Sequence, residues 1–160
     1  MVVLLDTALL SEATHPTARV SKPILEWLAL LVTSDVTVLV PEIADYEQRR
    51  EMLRANQSKS VARLDRFALT LGYLPLNTAA MRKAAQFWAD LRNIHRPGAT
   101  DNSLDGDVIL AGQAFVEAAR VQDQVVIATK NLKHFSHLPV EADSWQNIQP
   151  ITNTELGLPK

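Results

Sequence analysis

The sequence predicts an α/β fold, a three-layer sandwich around a central parallel sheet of about five strands. Three observations predict it. Short apolar runs at residues 2–5, 37–40 and 125–128 lack polar alternation, as strands buried on both faces do. Between these runs lie segments whose apolar residues recur with a helical period. The alternation of the two patterns calls for right-handed crossovers and helices on both faces of the sheet. At 160 residues the chain is expected to form one domain over 1–151, with 152–160 as a flexible C-terminal tail.

Each element has its own signature. Residues 2–5 form the first strand, and Asp6 ends it. A short helix should follow to about Thr14, stopped by His15-Pro16. Ser21 or Lys22 should cap a second helix, with Pro23 early in it and Ile24, Trp27, Leu28 and Leu31 inward. Residues 37–40 form the second strand, punctuated by Pro41. A helix from about Ile43 to Arg54 breaks at Asn56-Gln57-Ser58 and resumes through Val61, Leu64, Ala68 and Leu71, ending at Gly72. Residues 73–76 read as a short edge strand, where Pro75 is tolerated.

Asn77-Thr78 should cap a helix with Met81, Ala84, Ala85, Trp88 and Leu91 on its apolar stripe. Trp27 and Trp88 both read as core. A polar loop over 95–103 leads to a helix from about Asp105 to Val121, burying Val108, Ala111, Ala114, Phe115 and Ala118. Residues 124–128 and 145–149 complete the sheet.

Composition narrows the chemistry. The chain is 47% hydrophobic and 21% charged, the balance of a globular domain. It has no cysteine, which excludes disulfides, thiolate metal sites and thiol nucleophiles. No run is long enough to cross a bilayer, and the opening residues lack a signal peptide's basic region, so a cytoplasmic location is expected. Net charge is −2, yet Arg49, Arg50, Arg54, Lys59, Arg63 and Arg66 face only Glu51 and Asp65 in their stretch. That excess would suit either a phosphate backbone or a salt-bridged helix face.

Topology singles out the acids. Ligands bind such sheets outside the carboxyl ends of the strands. Asp6 and Glu47 follow strands at that edge. Asp107 opens a helix leading into a strand, so it arrives beside Asp6, and the turn after the fourth strand brings Asn131. Singly, each acid has an ordinary role: Asp6, Asp105 or Asp107 as a helix cap, Glu47 as partner of Arg50 or Arg54. Together, three carboxylates need a hard cation, and their oxygens suit Mg²⁺ or Mn²⁺. His15 and His95 read as loop residues, and His134 as a surface or supporting one. No glycine-rich phosphate loop and no Gly-x-Ser-x-Gly elbow is present. Ala8 stands where a haloacid-dehalogenase-type phosphatase needs a second aspartate.

The segments Leu4-Leu5-Asp6-Thr7, Val40-Pro41 through Tyr46-Glu47, residues 104–111 and residues 127–135 together resemble the PIN-domain family. More narrowly, they are similar to the VapC-type ribonuclease toxins of type II toxin–antitoxin modules. The resemblance covers roughly residues 1–150 and implies a Rossmann-like fold and a metal-dependent endoribonuclease. It also implies an RNA substrate, a homodimer and a cognate antitoxin protein. By position, Asp6, Glu47 and Asp107 match the family's three core acids, catalytic and metal-holding. Asp105 matches an accessory acid. Asn131 stands where many members carry a fourth aspartate, and Ala8 where asparagine is common. Thr7 and Asn131 are expected as supporting residues, and Arg49, Arg50, Lys130 and Lys133 as phosphate contacts. The competing expectation is a catalytically weakened module that binds RNA or protein.

Overall fold

The computed structural model describes residues 1–94 and 101–150, the side chains of 101–104 aside. The expected tail, 152–160, lies outside them, as do His95 and most of the expected 95–103 loop.

Five parallel strands form one sheet in the order β3-β2-β1-β4-β5. They are β1 (Val2–Leu5), β2 (Thr37–Pro41), β3 (Tyr73–Leu74), β4 (Val125–Thr129) and β5 (Glu141–Ser144). The first crossover is α1 (Thr7–Ala13) and α2 (Ala18–Thr33), and the second is α3 (Glu42–Arg54) and α4 (Ser58–Leu71). The third is α5 (Thr78–Ile94) and α6 (Asp101–Val121), and a 3₁₀ turn over Leu132–His134 precedes β5.

The strand pleat divides the core. Val3 and Leu5 of β1 pack with Val126 and Ala128 of β4 under α1, α2 and α4. Val2 and Leu4 pack with Val125 and Ile127 under α5 and α6. Successive side chains point to opposite faces, so a strand covered on both sides must be apolar throughout. That is the physical reason residues 2–5 carry no polar alternation. The result is the expected three-layer sandwich. Chain order reverses around β1, with β2 on one side and β4 on the other. The crevice at the carboxyl end of β1, where Asp6 lies, is therefore the topological switch point at which such sheets bind ligands.

Several boundaries hold for the reasons read in the sequence. Asn77 Oδ1 accepts the Ala80 amide at 2.8 Å and caps α5. Gly72 ends α4 at φ 117°, and a β-carbon there would lie 2.9 Å from Leu39. Asn56 takes a positive φ of 54° at the α3–α4 break.

Others differ. The helix α2 starts at Ala18, and Ser21 and Lys22 lie within it, with Pro23 inside the helix on the exposed side. Proline at that depth removes only the bond to the Arg19 carbonyl, which packing of Ile24, Trp27, Leu28 and Leu31 outweighs. The helix α6 starts at Asp101, so neither Asp105 nor Asp107 caps it, and Asp107 lies in its second turn. Acidic and small polar residues suit a first helical turn as well as a loop.

The fifth strand is Glu141–Ser144, not 145–149. Trp145 and Ile148 instead pack on α2, where the Trp27 indole donates 2.8 Å to the Ile148 carbonyl. The buried stripe of α5 is Ala80, Ala84, Phe87 and Leu91. Met81, Ala85 and Trp88 lie beside it and are exposed, as is Phe115 of α6. An apolar period locates a helix, but the buried arc is chosen by its neighbours. Among the described residues no helix is long and apolar enough to cross a membrane.

Candidate active site

Asp6 is the residue after β1 and the N-cap of α1, but its side chain makes no capping bond. Its Oδ2 instead accepts the Thr129 hydroxyl at 2.6 Å from the end of β4. Thr129 is fully buried, and its oxygen in turn accepts the Asn131 amide at 3.0 Å. Glu47, in the second turn of α3, pairs with neither Arg50 nor Arg54. Its Oε2 accepts the Thr7 hydroxyl at 2.6 Å. Arg50 stacks over the Tyr46 ring at 5.4 Å and Arg54 pairs with Glu51.

Asp107 is partly buried, its side chain 19% exposed. His134 Nδ1 lies 3.0 Å from its Oδ2. Burial, reinforced by the negative charges of Asp6 and Glu47 and opposed by His134, pushes its carboxyl up to about 6. Asp6 and Glu47 therefore lie near enough to Asp107 for their charges to act on it. Asp105 is exposed on the same helix.

Gly106 explains how α6 comes so near. A β-carbon there would stand 2.3 Å from Glu47 Oε1, so the helix backbone presses directly on the carboxylate. Sequence reasoning passed over Gly106, Thr129 and the contact of His134 with Asp107. The signals were present: a glycine between two aspartates inside a helix, and a hydroxyl ending an apolar strand.

Among the described residues each acid thus takes one such contact, from Thr129, Thr7 or His134. The two hydroxyls add no positive charge, so repulsion persists for a cation to relieve. The donor set is oxygen throughout, the chemistry that hard divalent ions take. Among the described residues no three acidic or imidazole side chains are gathered tightly enough to hold an ion outright. Carboxylate rotation away from these donors is what closure around an ion would require. The oxygen chemistry of the three carboxylates is of the kind that Mg²⁺ or Mn²⁺ takes.

The basic candidates separate. Arg49 forks onto Asp45 at 2.8 and 2.9 Å and reaches Asp65 at 2.7 Å, which holds its guanidinium above the ordinary range. Lys130 pairs with Glu12 at 2.5 Å. Arg50 is exposed on α3, and Lys133 is exposed on the 3₁₀ turn beside Asn131. Of the six basic residues between 49 and 66, Arg49 and Arg54 are held in ion pairs, and Arg63 donates to the Thr14 carbonyl.

Comparison with known proteins agrees with this architecture. No family model and no curated protein sequence matches the chain. Among solved structures it is similar to a chain of VapBC2 from Rickettsia felis bound to a DNA fragment from its promoter. That match has 17% identity and a TM-score of 0.72, covering 91% of this chain and 99% of that one. A chain of FitAcB from Neisseria gonorrhoeae matches at 20% identity and TM-score 0.66, with coverages of 91% and 99%. VapBC-1 from nontypeable Haemophilus influenzae follows at 15% and 0.64, covering 92% and 100%. The chain has a VapC-like PIN fold.

Proposed function

We propose that this chain is a metal-dependent endoribonuclease, hydrolysing RNA phosphodiester bonds as the toxin of a type II toxin–antitoxin module. The observation that carries the reading is the meeting of Asp6, Glu47 and Asp107 at the switch point of a VapC-like sheet. Matches to chains of VapBC complexes support a cognate antitoxin; a homodimer and a cytoplasmic location rest on the sequence reading alone.

In this reading Asp6 and Asp107 hold Mg²⁺ or Mn²⁺, and Glu47 either joins them or orients the attacking water. What the ion supplies when bound is charge: polarisation of a phosphate oxygen and acidification of the water. Thr129 fixes the Asp6 carboxylate and Thr7 that of Glu47, leaving one oxygen of each outside these bonds. Arg50 and Lys133 are placed to meet backbone phosphates directly. Arg49 and Lys130 must exchange a carboxylate for a phosphate to do so.

The test is cleavage of a mixed single-stranded RNA with Mg²⁺ or Mn²⁺, beside Asp6→Asn and a chelator control. Cleavage abolished in both controls supports the nuclease. RNA bound but never cut would instead establish the weakened binding module, a reading that Asn131 in place of an acid favours.

A further inference from the structure

A cavity of about 480 Å³ lies between α1, α3 and the opening of α4, a size that suits a small ligand. Thr7 and Glu47 form part of its wall, so it adjoins the carboxylate site. Along α1 its lining residues Thr7, Ser11 and Thr14 follow one another by about one helical turn and share a face. They span about 10 Å, a length comparable with that of a single nucleotide.

Gln48 lines the same cavity and is only 6% exposed. Its Nε2 donates to Thr14 Oγ1 at 2.6 Å, and the Thr14 hydroxyl donates to the Leu10 carbonyl at 2.8 Å. The single hydroxyl proton of Thr14 is therefore committed, which fixes the Gln48 amide with its nitrogen toward Thr14 and its oxygen away. That oxygen, Oε1, is buried and accepts no hydrogen bond among the described residues. Buried acceptors are nearly always paired, so an unpaired one in a cavity wall calls for a donor. The terminal amide torsion is broad, and a small turn about it brings Oε1 toward a group in the cavity without a change of rotamer.

The other lining residues select the donor. Glu47 and Glu51 oppose a phosphate inside the cavity, and Arg54 is already paired with Glu51. Met52 and Ala55 supply apolar surface. A flat, uncharged ring with an N–H on its edge meets these conditions together.

We infer that this cavity is a nucleobase subsite in which Gln48 Oε1 accepts the exocyclic amine of adenine, guanine or cytosine. Gln48 is then a specificity-determining residue. Uracil carries a carbonyl where cytosine carries its amine, so oxygen would face oxygen and the subsite disfavours it. The inference deepens the nuclease reading above and rests on it for placing the scissile phosphate beside Glu47. The cavity and the unpaired acceptor stand independently of any metal.

The test uses nucleosides, whose neutrality avoids repulsion by the acids, titrated into chelator-treated protein and followed by NMR. Adenosine, guanosine and cytidine are each compared with the analogue lacking the exocyclic amine: purine riboside, inosine and pyrimidin-2-one riboside. At least one of the three should shift the Met52 methyl and bind about tenfold more tightly than its analogue, as a hydrogen bond to an otherwise unpaired acceptor supplies. In folded Gln48→Met, similar in length but without the acceptor, the difference should shrink to about twofold or less. Nucleosides that leave Met52 unmoved, or that bind no better than their amine-free analogues, overturn the subsite without recourse to a variant. Undiminished discrimination in Gln48→Met overturns the role of Gln48.

Cleavage of mixed single-stranded RNA with Mn²⁺ separates this inference from the reading on which it rests. Amine-dependent nucleoside binding without cleavage refutes the nuclease and leaves the base subsite standing. Cleavage without amine-dependent binding refutes the subsite alone.

Discussion

Gly106→Ala should disable the site while sparing the fold. The added β-carbon would lie 2.3 Å from Glu47 Oε1 and 2.9 Å from its carboxyl carbon, where ordinary contact begins near 3.4 Å. The obstacle is the far end of a flexible side chain, so Glu47 yields rather than the helix. Its carboxylate must retreat by about 1 Å, a displacement that can cost on the order of 10²-fold in rate when the group positions reactants.

The stability terms oppose each other. Alanine in a helix interior gains roughly 0.5–1 kcal/mol over glycine. Distorting the Thr7–Glu47 bond costs roughly 0.5–1.5 kcal/mol. The melting temperature should therefore stay within a few degrees while RNA cleavage with Mn²⁺ falls about a hundredfold. Cleavage within threefold of the parent would refute the argument that Glu47 is held by contact with α6. A large drop in melting temperature would show that the helix itself was displaced.

Two further perturbations probe charge and packing. Asp107 is an acid whose native pKa is raised, from 3.8 to about 6, so its contribution is full below 3.8 and lost as pH rises through about 6. Asn cannot ionise; after discounting for partial exposure, metal-free Asp107→Asn should gain about 1–2 kcal/mol over the parent at about pH 7, or roughly 2–8 °C. That advantage should vanish near pH 4, and a thermal melt series showing Asp107→Asn less stable at neutral pH would refute it. Gly112→Ala places a β-carbon 2.5 Å from the Ala80 carbonyl oxygen and 3.1 Å from the Ala84 nitrogen, where α5 and α6 meet backbone to backbone. Overpacking should cost about 1–3 kcal/mol, and an unchanged melting temperature would show that the two helices can separate freely.

Much of this was legible in the chain itself. The β1 and β4 runs are apolar on both faces because helices cover both, and that burial leaves a direct mark on composition. Asn77 and Gly72 mark helix ends because their local chemistry satisfies backbone groups without reference to distant residues. Strand order and right-handed crossovers then bring Asp6, Glu47 and Asp107 to one edge, a consequence of connectivity that needs no coordinates.

What tertiary structure decided is which partner each group takes and which arc of each helix is covered. Trp88 satisfies a helical period as well as Phe87 does, yet only Phe87 is buried. Residues 145–149 read as a strand because Trp145 and Ile148 are apolar, but they pack against α2 instead. Asp6 turned to Thr129 rather than to its own helix, Asp107 to His134, and Arg49 to Asp45 and Asp65. Hydrogen bonds and ion pairs act over about 3 Å, so their partners are fixed only once the chain has brought distant segments together. Strand burial follows residue type alone, and for that reason the sequence carried it, whereas the covered arc of each helix depends on which neighbours the chain brings to it.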